Sequence, residues 1–126
     1  DDAFNSNPVG ANNALEVLDS MPGEKIVVTP GMIELGDLEY SENKKFGKHI
    51  AKVADKVILV GEKVTKAIKE GLEEEGFNKD NLYIINDVKE SYKMIQNFKT
   101  DKDIYALYEN DLPDTYVEKG DKKWLD

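Results

Sequence analysis

The sequence contains no cysteine, which removes a disulfide framework, a thiolate metal site and a cysteine nucleophile together. Histidine is nearly as scarce. The single residue, His49, rules out histidine metal cages and most nucleophile–histidine triads. Positive charge is in short supply, with 17 Lys plus Arg against 26 Asp plus Glu and a net charge of −9. Phosphate backbones and anionic membrane surfaces would be repelled on average, which argues against nucleic acid or membrane as the main partner. Long hydrophobic runs are missing too. The longest, Val57-Ile58-Leu59-Val60, is far too short to span a bilayer, and no signal-peptide pattern marks the first residues. The expectation is a soluble, cytoplasmic domain.

What is present is an ordinary globular balance: 126 residues, 40% apolar and 34% charged, enough for one domain with a real core. Strand-like and helix-like stretches alternate. Lys25 to Thr29 is short and β-branched before Pro30-Gly31, and Lys56 to Val60 is nearly continuous apolar sequence ending at Gly61. Asn81 to Ile85 and Asp103 to Tyr108 are two further strands. Between them, helical spacing unites Phe46, Ile50, Val53 and Ala54, then Val64, Ile68 and Leu72, then Val88, Tyr92 and Ile95 with Phe98 nearby. Asp87 and Glu90 read as a capping box, and an earlier helix runs from about Gly10 to Ser20, stopped by Pro22-Gly23. This order predicts an α/β fold, a three-layer, Rossmann-like, mostly parallel sheet flanked by helices and joined by right-handed crossovers. The loop Asp1 to Pro8 has no strand before it, so a first strand is expected upstream. Residues 1–116 are expected to form the domain and Val117 to Asp126 a charged tail whose only large apolar anchor is Trp124.

In open α/β sheets ligands bind outside the carboxyl ends of the strands. That selects five loops: Asp1 to Pro8, Thr29 to Asn43, Gly61 to Thr65, Asn86-Asp87 and Glu109 to Tyr116. The first packs two carboxylates and two carboxamides into eight residues. A carboxylate there can accept both hydroxyls of a ribose, although Asn, Asp, Ser and Pro are also the usual turn and cap residues. The second keeps Gly31 and Gly36 around Glu34, which suits close backbone approach to a ligand, or a plain structural loop with a solvated Glu. Gly61 to Thr65 has neither a Walker pattern nor a dinucleotide fingerprint. His49 reads as a surface or half-buried residue, Glu73-Glu74-Glu75 as a solvated helix end, and Tyr83, Tyr92 and Tyr105 as core positions.

At the opening loop the pattern becomes specific. Asp2-Ala3-Phe4-Asn5-Ser6-Asn7-Pro8 resembles the D-x-Y-N-A-N-P signature that begins the C-terminal domain of Mur ligases. Lys25 to Gly36 is similar to the strand and G-D-M-x-E-L-G loop of the branch that adds D-alanyl-D-alanine to the UDP-N-acetylmuramoyl tripeptide. Glu42, Phe46-Gly47 and Ala54 to Val57 follow in that branch's order, so the similarity runs over about residues 1 to 110.

The resemblance implies an ATP-dependent, ADP-forming amide ligase of peptidoglycan (cell-wall) precursor synthesis that works through an acyl phosphate. It implies N-terminal and central domains in the same protein, with ATP and magnesium held mainly by the central one. This domain would close over the nucleotide and bring in the amine acceptor for a UDP-muramoyl-peptide-like substrate. No catalytic residue and no metal ligand is expected in this fragment, which alone should be inactive. On the same analogy Asp2 contacts the ribose hydroxyls, Asn5 sits by the nucleoside, and Asn7 with Pro8 shapes that nucleotide loop. The loop Met32 to Gly36, including Glu34, faces the incoming substrate.

Three departures from the family pattern stand out. Its Asp in G-D-M is Gly31 here, the His after the Glu-Leu-Gly loop is Asn43, and the late K-G-S-R-type loop is Glu109-Asn110-Asp111-Leu112-Pro113-Asp114. Asn43, Glu109, Asn110 and Asp111 therefore join the expected substrate-facing set. Acids in place of Lys and Arg remove the bidentate donors that a carboxylate wants and favour a cationic or amidated acceptor. The alternative reading is a non-catalytic α/β module, nucleotide-binding or receiver-like, with Asp1-Asp2 imitating an acidic pair.

Overall fold

The computed structural model describes residues 7–109 and 122–125. Helix α1 (Pro8–Asp19) leads into strand β1 (Glu24–Thr29), then α2 (Glu39–Val53), β2 (Lys56–Val60), α3 (Lys66–Glu74), β3 (Leu82–Ile85), α4 (Lys89–Asn97), β4 (Ile104–Tyr108) and β5 (Lys122–Leu125). Single 3-10 turns, Gly36–Leu38 and Lys79–Asn81, precede α2 and β3. Among the described residues the sheet has five strands in the order β3-β2-β1-β4-β5, and every pairing is parallel.

The two central strands carry the logic. Ile26, Val27, Val28 and Thr29 are all fully buried, as are Val57, Ile58 and Leu59. Such strands need cover on both faces, because successive side chains alternate sides. Val27, Val57, Leu59 and Leu107 point into a layer with Leu15 and Leu18 of α1, Phe46 and Ile50 of α2, and Ile68 and Leu72 of α3. Ile26, Val28, Ile58, Ile104 and Ala106 face the other way, onto Val88 and Ile95 of α4. Three helices on one side and one on the other make the expected three-layer α/β sandwich.

Helix α2 lies unusually close to α3, and glycine is the reason. A Cβ on Gly47 would sit 2.2 Å from the Ile68 carbonyl oxygen, and one on Gly71 would sit 2.2 Å from the Lys44 carbonyl oxygen. Each helix thus presents a bare backbone to the other. Lys44 and Lys48 then bridge to Glu74 at 2.5 and 3.2 Å, which ties the two helices at the surface. Glu74 is thus a bridged residue within the run expected to be solvated.

Other elements differ modestly from expectation. Val64, placed by spacing on a core face, precedes α3 and is 57% exposed. Asp87 accepts from the Lys89 N–H, the capping half of the expected box. His49 is half-buried between α1 and α2, its Nδ1 2.8 Å from Asn12 Oδ1. Tyr83, Tyr92 and Tyr105 are partly buried against the two cores. Lys122–Leu125, within the stretch read as a tail, pairs with β4 as the edge strand.

Candidate functional site

The strand order reverses direction between β1 and β4: the chain moves outward to β2 and β3, then returns to the opposite side of β1. Crossovers of one hand therefore place α2 and α3 on one face and α4 on the other, which opens a crevice at the carboxyl ends of β1 and β4. Among the described residues, the loops after β1, β2 and β3 and residue Glu109 after β4 lie at that end of the sheet.

The loop after β1 is held from beneath. Thr29 is fully buried and its Oγ1 accepts the Gly31 N–H at 3.0 Å. Gly31 has φ +90°, and a Cβ there would lie 3.2 Å from Asn43 Oδ1. An Asp at this position would bring both backbone strain and a carboxylate against a carbonyl oxygen, so the departure to glycine has a local cause.

Met32 and Asn43, expected to face the acceptor, are both buried at the base of the loop. The Met32 side chain is 2% exposed and packs into the larger core. Asn43 is equally buried; its Oδ1 accepts the Met32 N–H at 2.8 Å, and its Nδ2 donates to the carbonyls of Met32 at 2.9 Å and Glu39 at 2.8 Å. A carboxamide has donors and an acceptor together, so one Asn satisfies both polar groups of the Met32 backbone. This pair clamps the loop and leaves Glu34 and Gly36 as its exposed part. Glu34 adopts φ 63°, the sparsely populated left-handed region for a residue with a long side chain.

Beside this loop lies an open groove of about 700 Å³, walled by Gly36 to Asn43 on one side and Lys63 to Glu70 on the other. The far wall starts in the Gly61 to Thr65 loop and continues into α3, where no motif marks Glu70. Tyr40 donates its phenolic hydrogen to Glu70, and this bond to a carboxylate pushes the phenol's pKa up. These two residues are 30 positions apart, and nothing local in the chain pairs them.

Glu109 stands directly after β4, with its backbone N–H donated to the Val28 carbonyl at 3.0 Å. Burial pushes its carboxyl up to about 7. Asn7, placed in the nucleotide loop by resemblance, is the N-cap of α1: its Oδ1 accepts from Val9 N–H at 3.0 Å and Gly10 N–H at 3.2 Å, with Pro8 at the first helical position. Asp2, Asn5, Asn110 and Asp111 lie outside the described residues.

An all-parallel sheet covered on both faces, with its clamped, glycine-bearing loop and a half-buried carboxylate at the strand carboxyl ends, defines a Rossmann-like α/β domain. Within that class the chain belongs to the Mur ligase family: residues 2–107 match the model described as Mur ligase, glutamate ligase domain. Solved structures agree. The chain is similar to MurF from Acinetobacter baumannii at 26% identity and a TM-score of 0.67, over 87% of this chain and 24% of that one. Its fold is also shared by the MurF ligase from Thermotoga maritima solved in complex with ADP, at 20% identity and a TM-score of 0.65, over 87% of this chain and 24% of that one. The chain thus spans about a quarter of the length of these structures. No curated protein sequence matches it significantly. Among the described residues no helix is long and apolar enough to cross a membrane.

Proposed function

We propose that this chain is the C-terminal domain of a cytoplasmic, ATP-dependent, ADP-forming amide ligase of peptidoglycan precursor synthesis. It closes over ATP and positions the incoming amine acceptor. The observation that carries this reading is the family match over residues 2–107, which takes in both the opening loop and the clamped loop at the end of β1. The same match favours a ligase domain over a receiver-like module. A fold relative crystallised with ADP supports ATP chemistry in the complete protein.

In this reading the carboxylate of a UDP-muramoyl-peptide-like substrate takes the terminal phosphoryl group of ATP, giving ADP and an acyl phosphate. The acceptor nitrogen then displaces phosphate. Among the described residues no group of three or more His, Cys, Asp or Glu could hold a metal ion. In the ligase reading magnesium and the ATP phosphates are held mainly by the central domain of the same protein.

In this reading the chain binds the nucleotide and places the acceptor. Asp2 accepts the ribose hydroxyls, Asn5 flanks the nucleoside, and Asn7 fixes the loop that carries them by capping α1. Met32 and Asn43 hold Glu34 and Gly36 toward the acceptor side, which Glu109, Asn110 and Asp111 flank. Their negative field favours a cationic or neutral acceptor over a free carboxylate.

In the full-length enzyme Asp2→Ala removes charge-assisted contacts worth on the order of 1.5–3 kcal/mol, so kcat/KM for ATP should fall about 10- to 150-fold. Steady-state kinetics against ATP read this out. Unchanged ATP kinetics with a lowered melting temperature would make Asp2 a loop residue only.

A further inference from the structure

An amine that must attack an acyl phosphate reaches a neutral-pH site mainly as an ammonium ion, which has no lone pair to offer. Something has to take its proton. We propose that Glu109 is that proton acceptor, a role that rests on the ligase reading above and names a group for it within this chain.

Position is the first support. Glu109 is the residue directly following β4, and its N–H bond to Val28 places it against the end of β1, at the crevice made by the reversal of strand order. That crevice is where an α/β sheet receives ligands. Helices α1 and α4 both begin at this end of the sheet. The Asn7 cap marks the start of α1, and the Ser91 hydroxyl in the first turn of α4 lies 2.6 Å from the Tyr108 hydroxyl, one residue before Glu109.

The surroundings are the second support. The end of β1 offers Val28 and Thr29, both fully buried and neither charged. The first turn of α1 carries no acidic residue, and its Pro8-Val9-Gly10-Ala11 sequence has nothing that titrates. Tyr108 beside it is held neutral, its phenol pushed well above its usual range by burial. Lys89 and Glu90 begin α4, and Asp87 precedes them. None of these contributes to the shift at Glu109, whose one cause is burial. A carboxylate left short of solvent and without a described counter-charge gains from a cation placed beside it, and gains again by taking that cation's proton.

The step balances. The ammonium N–H bond breaks and a Glu109 O–H bond forms, leaving a neutral amine and a neutral carboxylic acid. The amine lone pair then forms the C–N bond to the acyl phosphate carbon while the C–O bond to phosphate breaks. The second nitrogen proton leaves with the phosphate oxygen, giving the amide and hydrogen phosphate. The acyl phosphate is the one the proposed ligase makes from ATP.

The test uses the full-length enzyme with its amine acceptor and, separately, with hydroxylamine, which is uncharged at neutral pH and needs no base. In the wild type, kcat/KM for the amine between about pH 5 and 9 should show an acidic limb near neutrality. Glu109→Gln should lower the amine reaction about 10²- to 10⁴-fold and abolish that limb, and lower the hydroxylamine reaction far less. Glu109→Asp should retain a limb and part of the rate. Equal loss with amine and hydroxylamine would overturn the role, because it would mark a structural or nucleotide effect. So would a Gln variant with the wild-type rate and profile. Absence of any nucleophile-dependent ADP release in the wild type would instead defeat the ligase reading itself.

Discussion

Glu109 lets burial be weighed against charge at a single residue. Its carboxyl titrates at about 7 in the folded chain, above the ordinary carboxylate value it regains on unfolding. Folding therefore favours the protonated form. The stability associated with that preference is complete below the unfolded value and is lost as pH rises through the folded one. The chain should lose on the order of 2–3 kcal/mol between about pH 4.5 and 7, a window of about 2.5 pKa units discounted for incomplete burial. Glu109→Gln should flatten that slope and be the more stable protein at pH 8, as urea unfolding across the range would reveal. Identical pH slopes in the two proteins would mean that the carboxylate is well solvated.

The elements explain why some of this was legible in the sequence and some was not. Strands β1 and β2 announce themselves because strands buried on both faces are continuous β-branched and apolar runs, and their bounds fall within a residue of those read from Lys25–Thr29 and Lys56–Val60. Asn43 stands out in the sequence as a departure from the family pattern, but its bonds to Met32 and Glu39 do not, because residue type alone cannot tell a buried clamp from a ligand-facing carboxamide. Glu70 and Tyr40 were invisible, because their meeting depends on how α2 sits on α3. That contact depends on Gly47 and Gly71, neither of which stands out in a helical pattern. Gly47→Ala should cost about 1–3 kcal/mol or more, because its Cβ would overlap backbone that cannot move freely. Gly10→Ala in α1 is the control: its Cβ would meet only ordinary contacts at 3.7 Å or beyond, so stability should hold or rise by up to about 1 kcal/mol. Equal effects in the two variants, measured by urea denaturation, would contradict the close-packed helix pair.

At the scale of the whole molecule, the described residues supply a sheet, a clamped loop and a carboxylate at its carboxyl end, and they offer no metal-binding cluster. The chain covers about a quarter of the MurF structures it resembles, and the ligase reading proposed above places the phosphates and magnesium in the other domains. The most direct test compares full-length protein with this chain alone, following ADP release from ATP with a UDP-muramoyl-peptide substrate and a panel of amines. The panel should contain amino acids, D-alanyl-D-alanine and its C-terminal amide. Full-length protein should release ADP only when an amine is present, with the amide preferred over the free dipeptide, and the isolated chain should release none. Amine-dependent ADP release by the isolated chain, or none by the full-length protein with any amine, would contradict the account.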